Sequence, residues 1–237
     1  REEGRMIMVS VIVVAAGKGS RMKSSVNKQF LKLKGKAVLQ HTIETFLEVE
    51  EIDEMVVVLS KEDVALFQSL DFLGKEKVKI AFGGQERYFS VRNGLDQVSE
   101  DSDVILVHDG ARPFVTKEEI KSVISCARQD GACILATKVK DTIKEVECGV
   151  VVNTPKRDRL YAVQTPQGFR GEILREVYAM DFCTFGDWIP TDDASLVERQ
   201  GYPIKITEGS PNNIKITTPI DLLLGELILE QEELLWE

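Results

Sequence analysis

The sequence predicts an α/β protein with a doubly wound, mostly parallel sheet, and three observations indicate this class. An uninterrupted apolar run at residues 9–14 is typical of a strand buried on both faces of a parallel sheet. Strand-like and helix-like segments then alternate with short connections as far as Ala136. Two glycine turns directly follow strands, and ligands of open α/β sheets bind at the carboxyl ends of strands.

The loop after the first strand has almost no side-chain bulk, because it contains Ala15, Ala16, Gly17 and Gly19. Bare backbone N–H groups of this kind suit phosphate oxygens. Positive charge follows at Lys18, Arg21 and Lys28. The loop is therefore a candidate phosphate site, and a glycine-rich βα turn without a ligand is the alternative.

Neither of two widespread phosphate loops fits this stretch. A Walker loop counted from Gly17 requires Gly-Lys-Ser/Thr from a position occupied by Met22, and the dinucleotide fingerprint requires a third glycine at the same position. The remaining pattern, small residues followed by Arg21 and Lys28, resembles nucleotidyltransferases that activate sugars.

The next elements extend the α/β alternation. Residues 38–46 have a helical apolar face, 55–59 and 78–82 read as strands, and 61–70 reads as a helix. A second small-residue turn follows at Gly83 and Gly84. We expect Ser90 to cap a helix over residues 91–98.

A strand at residues 104–107 leads into a turn that carries Asp109 and Arg112 and is stiffened by Pro113. A carboxylate and a guanidinium held this way can bind a metal ion and an anionic substrate side by side. The alternative is an ion pair that only closes the loop. Thr116 and Glu119 form a capping box for the next helix, and residues 132–136 give another strand.

The alternation breaks at residues 137–163, which read as two strands about a turn at Cys148 and Gly149. A projecting β-hairpin arm exposes its edges unless another surface covers them, and a second copy of the arm would do so in a two-fold dimer. A hairpin packed on its own subunit is equally compatible with the pattern. We therefore expect a single domain over residues 7–237 with this arm as a subdomain.

The remaining segments return to the main domain. Helices are expected at 171–180, from Thr191 to near Gly201, and at 219–236, with the acidic first turn after Thr191 suited to the helix dipole. Residues 203–207 and 213–216 read as short strands.

Composition excludes several classes of function. The net charge of −9 argues against a nucleic-acid surface. No apolar segment approaches the roughly 20 residues that span a bilayer, so we expect a cytoplasmic protein without membrane association. The four cysteines lack the spacing of a zinc site.

The candidate site combines three cations, Arg21, Lys28 and Lys215, with one carboxylate and two glycine turns. Phosphoryl and nucleotidyl transfer require such a set, because catalysis there is mostly positioning and charge neutralisation. No Ser-His-Asp series or Cys-His pair points to another chemistry. For nucleotidyl transfer we therefore expect Mg²⁺ as cofactor, bound to the triphosphate oxygens of the nucleotide.

Seven motifs in order closely resemble the 2-C-methyl-D-erythritol 4-phosphate cytidylyltransferase family. They are Ala15-Ala16-Gly17-x-Gly19-x-Arg21-Met22 with Lys28, Gly83-Gly84-x-x-Arg87-x-x-Ser90-Val91, His108-Asp109-x-Ala111-Arg112-Pro113, Asp141-Thr142-x-Lys144, Gln164-Thr165-Pro166-Gln167, Thr191-Asp192-Asp193-Ala194-Ser195 and Asn213-Ile214-Lys215. The resemblance implies a Rossmann-like fold of the nucleotide-diphospho-sugar transferase type. It also implies Mg²⁺-dependent transfer of a cytidylyl group from CTP to methylerythritol 4-phosphate, with release of pyrophosphate.

The resemblance also implies roles for individual residues. Catalysis would fall to Arg21, Lys28 and Lys215; the nucleotide would contact Ala15, Ala16, Gly17, Gly19, Gly84 and Ser90; and the second substrate would contact Asp109, Arg112, Thr142, Arg157, Thr165 and Thr191. Asp109 is the candidate metal ligand. Arg157 matches an arginine that reaches the partner subunit's site in a homodimer.

Two other functions fit parts of the pattern. A ribitol 5-phosphate cytidylyltransferase shares the fold and most nucleotide motifs, and differs in the polyol pocket. A catalytically silent nucleotide-binding regulator is the third reading, and the presence of both Lys28 and Lys215 argues against it.

Overall fold

The computed structural model describes residues 7–17, 27–186 and 188–235. In chain order the strands are β1 (Val9–Ala15), β2 (Lys32–Leu33), β3 (Lys36–Ala37), β4 (Glu54–Leu59), β5 (Val78–Phe82), β6 (Val104–Asp109), β7 (Ala132–Lys138), β8 (Glu145–Glu147), β9 (Val150–Asn153), β10 (Tyr161–Arg170) and β11 (Lys205–Glu208). The α-helices are α1 (Val38–Leu47), α2 (Val64–Ser69), α3 (Arg87–Leu95), α4 (Lys117–Asp130), α5 (Gly171–Tyr178), α6 (Asp193–Arg199) and α7 (Pro219–Leu235).

The central sheet has seven strands in the order β11-β7-β10-β6-β1-β4-β5. β10 runs antiparallel to both of its neighbours, and the other strand pairs in this sheet are parallel. Helices cover both faces: α1 and α4 pack on one, and α3, α5 and α6 pack on the other. The predicted doubly wound, mostly parallel α/β class is confirmed.

The β1 segment is central because its β-branched side chains are buried on both faces. Val11 and Val13 belong to the core cluster that contains α1, whereas Ile12 belongs to the cluster that contains α3. This explains why the strand reads as a continuous apolar run without alternation. It also places the loop after Ala15 at the carboxyl edge of the sheet, beside the ends of β4 and β6.

The cap of α4 follows the predicted pattern, with Thr116 accepting from the Glu119 amide and the Glu119 side chain accepting from the Thr116 amide. The predicted cap at Ser90 is wrong, because α3 already begins at Arg87. The Ser90 hydroxyl instead accepts from the Gly84 amide at 3.0 Å and donates to the Glu86 carbonyl at 3.3 Å. Ser90 therefore fixes the glycine turn from inside the first turns of the helix.

Two further differences concern β10 and residues 213–216. β10 is an interior strand of the sheet that the sequence pattern did not predict beyond residue 163, and its pairing shifts between Val163 and Gln167, around the cis peptide bond Thr165-Pro166. Residues 213–216 form no strand. The Ile216 amide donates to the Ala111 carbonyl, but this backbone bond is isolated and is not part of a strand ladder. That bond ties the segment bearing Lys215 to the turn after β6.

The β8–β9 hairpin lies where the alternation breaks, with its turn at the predicted Cys148 and Gly149, both at positive φ. The paired part is shorter than the predicted arm, since residues 137–138 extend β7 and 161–163 extend β10. All residues of β8 and β9 are exposed, including Val150 at 66% and Val152 at 51%.

Among the helices of the described ranges, none is both long enough and apolar enough to cross a membrane. Of the cysteines, Cys126, Cys133 and Cys148 are free thiols.

Candidate active site

A cavity of about 430 Å³ opens at the carboxyl edge of the sheet. It brings together eight residues that the sequence singled out: Ala15, Ala16, Gly17, Lys28, Gly84, Ser90, Asp109 and Lys215. These residues come from the end of β1 and the loop after it, the end of β6, the turn before α3, α3 itself, and two segments that have no regular strand or α-helix. The position agrees with the rule that open α/β sheets bind ligands where parallel strands end.

One wall of the cavity consists of the two small-residue turns in direct contact. A Cβ atom on Gly83 would lie 2.2 Å from the Cβ of Ala16, and one on Gly84 would lie 2.3 Å from the Cβ of Phe89. Real Cβ atoms do not approach this closely, so both glycines are required by packing. The result is a smooth wall of backbone and methyl groups against which a flat group can lie.

Gln29 holds the other side of this wall. Its buried side-chain amide donates to the carbonyl oxygens of Ala15 and of Gly17, the second at 3.4 Å. The amide group therefore fixes the backbone of the loop immediately before residues 18–26. Sequence reasoning missed Gln29, although its position next to Lys28 was the available signal.

Asp109, the last residue of β6, is surrounded by cations. Its Oδ2 atom lies 2.7 Å from Nζ of Lys215 and 3.8 Å from Nε of Arg112, and its Oδ1 atom lies 3.4 Å from Nε of Arg87. Burial alone would raise the pKa of Asp109, but the charges of Arg87 and Lys215 outweigh it and hold the pKa well below its usual range. The carboxylate is therefore ionised at physiological pH.

Behind Asp109, a hydrogen-bond chain fixes the turn. The Asp109 amide donates to Oγ1 of Thr165 at 3.1 Å, and this hydroxyl lies 3.1 Å from Nδ1 of His108. Nε2 of His108 faces the Arg112 carbonyl at 3.1 Å. Burial lowers the pKa of His108 to about 3. The ring is thus neutral with its proton on Nε2, because a carbonyl can only accept, and the Thr165 hydroxyl donates to Nδ1.

The segment with Lys215 is attached through Asn213. Arg112 donates from Nη1 to the Asn213 carbonyl at 2.8 Å, and the Asn213 side-chain amide donates to the Thr165 carbonyl at 3.0 Å. Nε of Arg112 is buried without a hydrogen-bond acceptor in the described ranges. Its ionic partner is Asp109, whose Oδ2 atom lies 3.8 Å away, and Arg112 is absent from the cavity lining.

The remaining sequence candidates occupy different positions. Thr165 is buried behind Asp109 and does not line the cavity, and Thr191 is exposed just before α6. Thr142 and Arg157 lie on the exposed segments that flank the hairpin, where Arg157 donates to the Lys140 carbonyl at 3.0 Å. Arg21 and Gly19 lie outside the described residues.

Arg87 lines the cavity, and sequence reasoning assigned it no role. It also donates from Nη1 to the fully buried Asp193 at 2.8 Å. Arg87 and Asp193 both belong to motifs that the sequence analysis quoted, but their contact joins positions too far apart for a local pattern to indicate.

The described residues contain no cluster of three or more acidic, histidine or cysteine side chains that would hold a metal ion by themselves. Mg²⁺ in phosphate-transfer sites is commonly held by one or two carboxylates together with substrate phosphates. Asp109 supplies one such carboxylate, so the donor set fits a metal that arrives with a nucleotide.

A smooth wall, several cations around one ionised carboxylate, and this doubly wound sheet define a nucleotidyltransferase. The family model for IspD, 2-C-methyl-D-erythritol 4-phosphate cytidylyltransferase, matches residues 9–231. The chain belongs to this family, and it is therefore a cytidylyltransferase.

Individual relatives agree over nearly the whole chain. The chain is 49% identical to the 2-C-methyl-D-erythritol 4-phosphate cytidylyltransferase of Alkaliphilus metalliredigens, over 97% of this chain and 98% of the relative. It is 42% identical to that of Clostridioides difficile, over 95% of each. The crystal structure of 4-diphosphocytidyl-2C-methyl-D-erythritol synthase from Anaerococcus prevotii superposes with a TM-score of 0.81 at 32% identity, covering 94% of this chain and 96% of that one.

Proposed function

We propose that the chain transfers the cytidylyl group of CTP to 2-C-methyl-D-erythritol 4-phosphate. The products are 4-diphosphocytidyl-2-C-methyl-D-erythritol and pyrophosphate. The observation that carries this proposal is that one cavity is lined both by a wall of backbone and methyl groups and by Lys28, Lys215 and Asp109. Cytidylyl transfer requires these two surfaces side by side, one for a base and one for reacting phosphates.

The nucleotide base would lie against the wall formed by Ala15, Ala16 and Gly84, beside Ser90. The triphosphate would then extend along Gly17 toward Lys28. Through the family resemblance, Gly19 and Arg21 complete the phosphate-binding loop. The shape of the wall supports the placement of the base, because only the small residues leave room for a ring in contact with backbone.

The reaction brings two anions together, since the phosphate of the second substrate attacks the α-phosphorus of CTP. Two unit charges about 4 Å apart at a surface-like dielectric repel by about 4 kcal/mol. Lys28 and Lys215 would offset this repulsion and stabilise the pentacoordinate phosphorus. A bond forms between the polyol phosphate oxygen and the α-phosphorus, and the bond to the pyrophosphate oxygen breaks.

Mg²⁺ is the expected cofactor, and when bound it neutralises charge on the triphosphate oxygens. Asp109 would supply its protein ligand. Lys215 already contacts Oδ2 of Asp109 at 2.7 Å. Asp109 would hold the metal with this carboxylate, and Lys215 would then pair with the substrate phosphates.

Through the family resemblance, the second substrate would contact Arg112, Thr165 and Thr191, with Arg112 placed next to Asp109 by their ion pair. Thr142 and Arg157 do not line the cavity of their own chain. We propose that both residues act on the partner's site in a homodimer. The single domain over residues 7–237 would then exchange its arm, residues 137–163, with a second copy.

The arm provides a physical reason for this dimer. Val146, Val150, Val151 and Val152 are each more than half exposed, which is unfavourable for a hairpin in water. Coverage by a second chain would bury these valines and carry Arg157 across the interface. Cytoplasmic localisation is consistent with the three free thiols and with CTP as substrate.

Subunit mixing tests the action of Arg157 in the partner's site. An Arg157→Ala chain and a Lys28→Ala chain should each be inactive as homodimers. Mixed dimers should recover activity, because one of their two sites combines an intact Lys28 with an intact Arg157. Absence of rescue after proven subunit exchange would show that Arg157 acts within its own chain.

Substrate preference tests the function itself. With CTP and Mg²⁺, kcat/KM for pyrophosphate release should be much higher with methylerythritol 4-phosphate than with ribitol 5-phosphate. The reverse preference would identify a ribitol 5-phosphate cytidylyltransferase, and absence of turnover with both would favour a silent nucleotide binder.

A further inference from the structure

A chain of polar contacts runs from Asp109 through Arg87 to the buried Asp193. Nε of Arg87 lies 3.4 Å from Oδ1 of Asp109, and Nη1 of Arg87 donates to Oδ2 of Asp193 at 2.8 Å. The hydroxyl of Tyr178 donates to the other Asp193 oxygen at 2.6 Å. One guanidinium therefore joins two carboxylates.

The two carboxylates differ in location. Asp109 lines the cavity, whereas Asp193 is fully buried and does not line it. Arg87 begins α3 directly after the Gly83-Gly84 turn, and Asp193 begins α6 directly after Thr191 and Asp192. The bridge therefore connects the turn at the nucleotide wall with the segment proposed to contact the second substrate.

The α6 end of the bridge is itself rigid. Asp192 caps the Ser195 amide at 3.0 Å and accepts from Nε2 of Gln167 at 2.7 Å. Oε1 of Gln167 accepts from the Ala194 amide at 2.9 Å. Asp193 consequently has little freedom to move, and it can serve as a fixed anchor for Arg87.

We propose that Arg87 is a positioning residue, anchored by Asp193, that holds Oδ1 of Asp109 so that Oδ2 remains directed at Lys215 and the cavity. The inference deepens the proposed function and rests on it. Without Arg87, Oδ1 of Asp109 loses a fixed donor, the carboxylate is free to rotate, and Oδ2 no longer keeps its direction toward Lys215 and the cavity.

The planar geometry of the guanidinium explains why arginine is needed. Its fixed fork of donors can engage two carboxylates in defined directions, whereas the ammonium group of lysine is a single point charge. If Arg87 only neutralised charge, lysine would replace it. If it positions Asp109, lysine would keep the charge and lose the bridge.

Steady-state kinetics of single and double variants test this role. Asp193→Asn should lower kcat by about tenfold or more although Asp193 never reaches the cavity, and Arg87→Gln should lower it by up to about a hundredfold. KM for CTP should change by less than about threefold in both. The kcat of Arg87→Lys should be closer to the kcat of Arg87→Gln than to that of the unmodified chain.

The double variant Arg87→Gln/Asp193→Asn provides the decisive comparison. Both residues act through one bridge, so the kcat of the double variant should equal that of the less active single variant within about threefold. If the two losses were independent, they would multiply and the kcat of the double variant would be much lower. Arg92→Gln, an exposed position on the same helix, should leave kcat unchanged. CTP affinity by calorimetry and thermal unfolding monitor binding and folding separately.

Three results would overturn the inference: full activity of Arg87→Lys, multiplicative effects in the double variant, or reduced thermal stability with unchanged kcat per folded molecule. The last would make the bridge purely structural. The proposed function is judged separately, because it fails only if the unmodified chain does not turn over CTP with the polyol phosphate.

Discussion

Replacing Lys215 by alanine separates transition-state stabilisation from nucleotide binding. Nζ of Lys215 lies 2.7 Å from Asp109 and lines the cavity, so in the proposed reaction its charge would lie near the phosphorus that becomes pentacoordinate. Removal of one preorganised donor to developing charge costs about 2.7–4 kcal/mol, or about a hundredfold to a thousandfold in kcat. The side chain is 36% exposed, and solvent screening places the expectation at the lower end of that range.

The variant should remain folded, because Arg87 and Arg112 still neutralise Asp109 after Lys215 is removed. The assay is steady-state pyrophosphate release at varied CTP, together with calorimetric CTP binding in the absence of the second substrate. Lys205→Ala, at an exposed position of β11, is the matched control. A rise in KM for CTP with unchanged kcat would show that Lys215 binds ground-state phosphate, which refutes its role in the transition state.

Three further predictions concern the wall and the turn behind Asp109. Gly83→Ala should weaken CTP binding measured by calorimetry, because the new Cβ would lie 2.2 Å from the Cβ of Ala16. Ala16→Gly in the same chain should restore part of the affinity. Equal CTP affinity of Gly83→Ala and the unmodified chain would contradict the contact. Thr165→Val should lower the free energy of unfolding in chemical denaturation by about 1–3 kcal/mol, because the buried amide of Asp109 and the ring of His108 lose their partner, whereas Thr165→Ser should be close to the unmodified chain. The imidazole NMR signals of His108 should show no protonation down to about pH 4, and a midpoint near its ordinary pKa would show that the ring is accessible to solvent.

The lowered pKa of His108 also gives the direction of a stability change with pH. Because the unfolded chain binds a proton at His108 more readily than the folded chain, acid favours unfolding. The contribution of the neutral ring to the free energy of unfolding is therefore complete above the ordinary pKa of 6.5, and it is lost progressively as the pH falls toward about 3. Other groups add their own pH dependence, so the NMR titration is the direct measurement for His108.

Local patterns predicted much of the fold and most of the cavity. A β-branched run followed by small residues is sufficient to place β1 and its loop, and the same logic places Asp109 at the end of β6. β10 was missed because its residues are largely polar around Thr165 and Gln167, and their burial depends on the two neighbouring strands and on Asp192.

Long-range contacts explain what the sequence could not provide. Arg87 carries no local signal of its function, because the Asp193 carboxylate that it contacts comes from a helix far along the chain. Gln29 likewise acts on the carbonyls of Ala15 and Gly17, a relation that no residue spacing encodes. The prediction that Ser90 caps the helix was wrong, because the Ser90 hydroxyl accepts from the Gly84 amide in the turn and Ser90 does not begin the helix.

Transfer of label from CTP tests directly whether this cavity moves a cytidylyl group from the pyrophosphate of CTP to the polyol phosphate. CTP labelled at the α-phosphate should pass its label to the polyol product, with one pyrophosphate released for each labelled product when Mg²⁺ and methylerythritol 4-phosphate are present. Label that remains in CTP, or that appears in CMP, would contradict cytidylyl transfer.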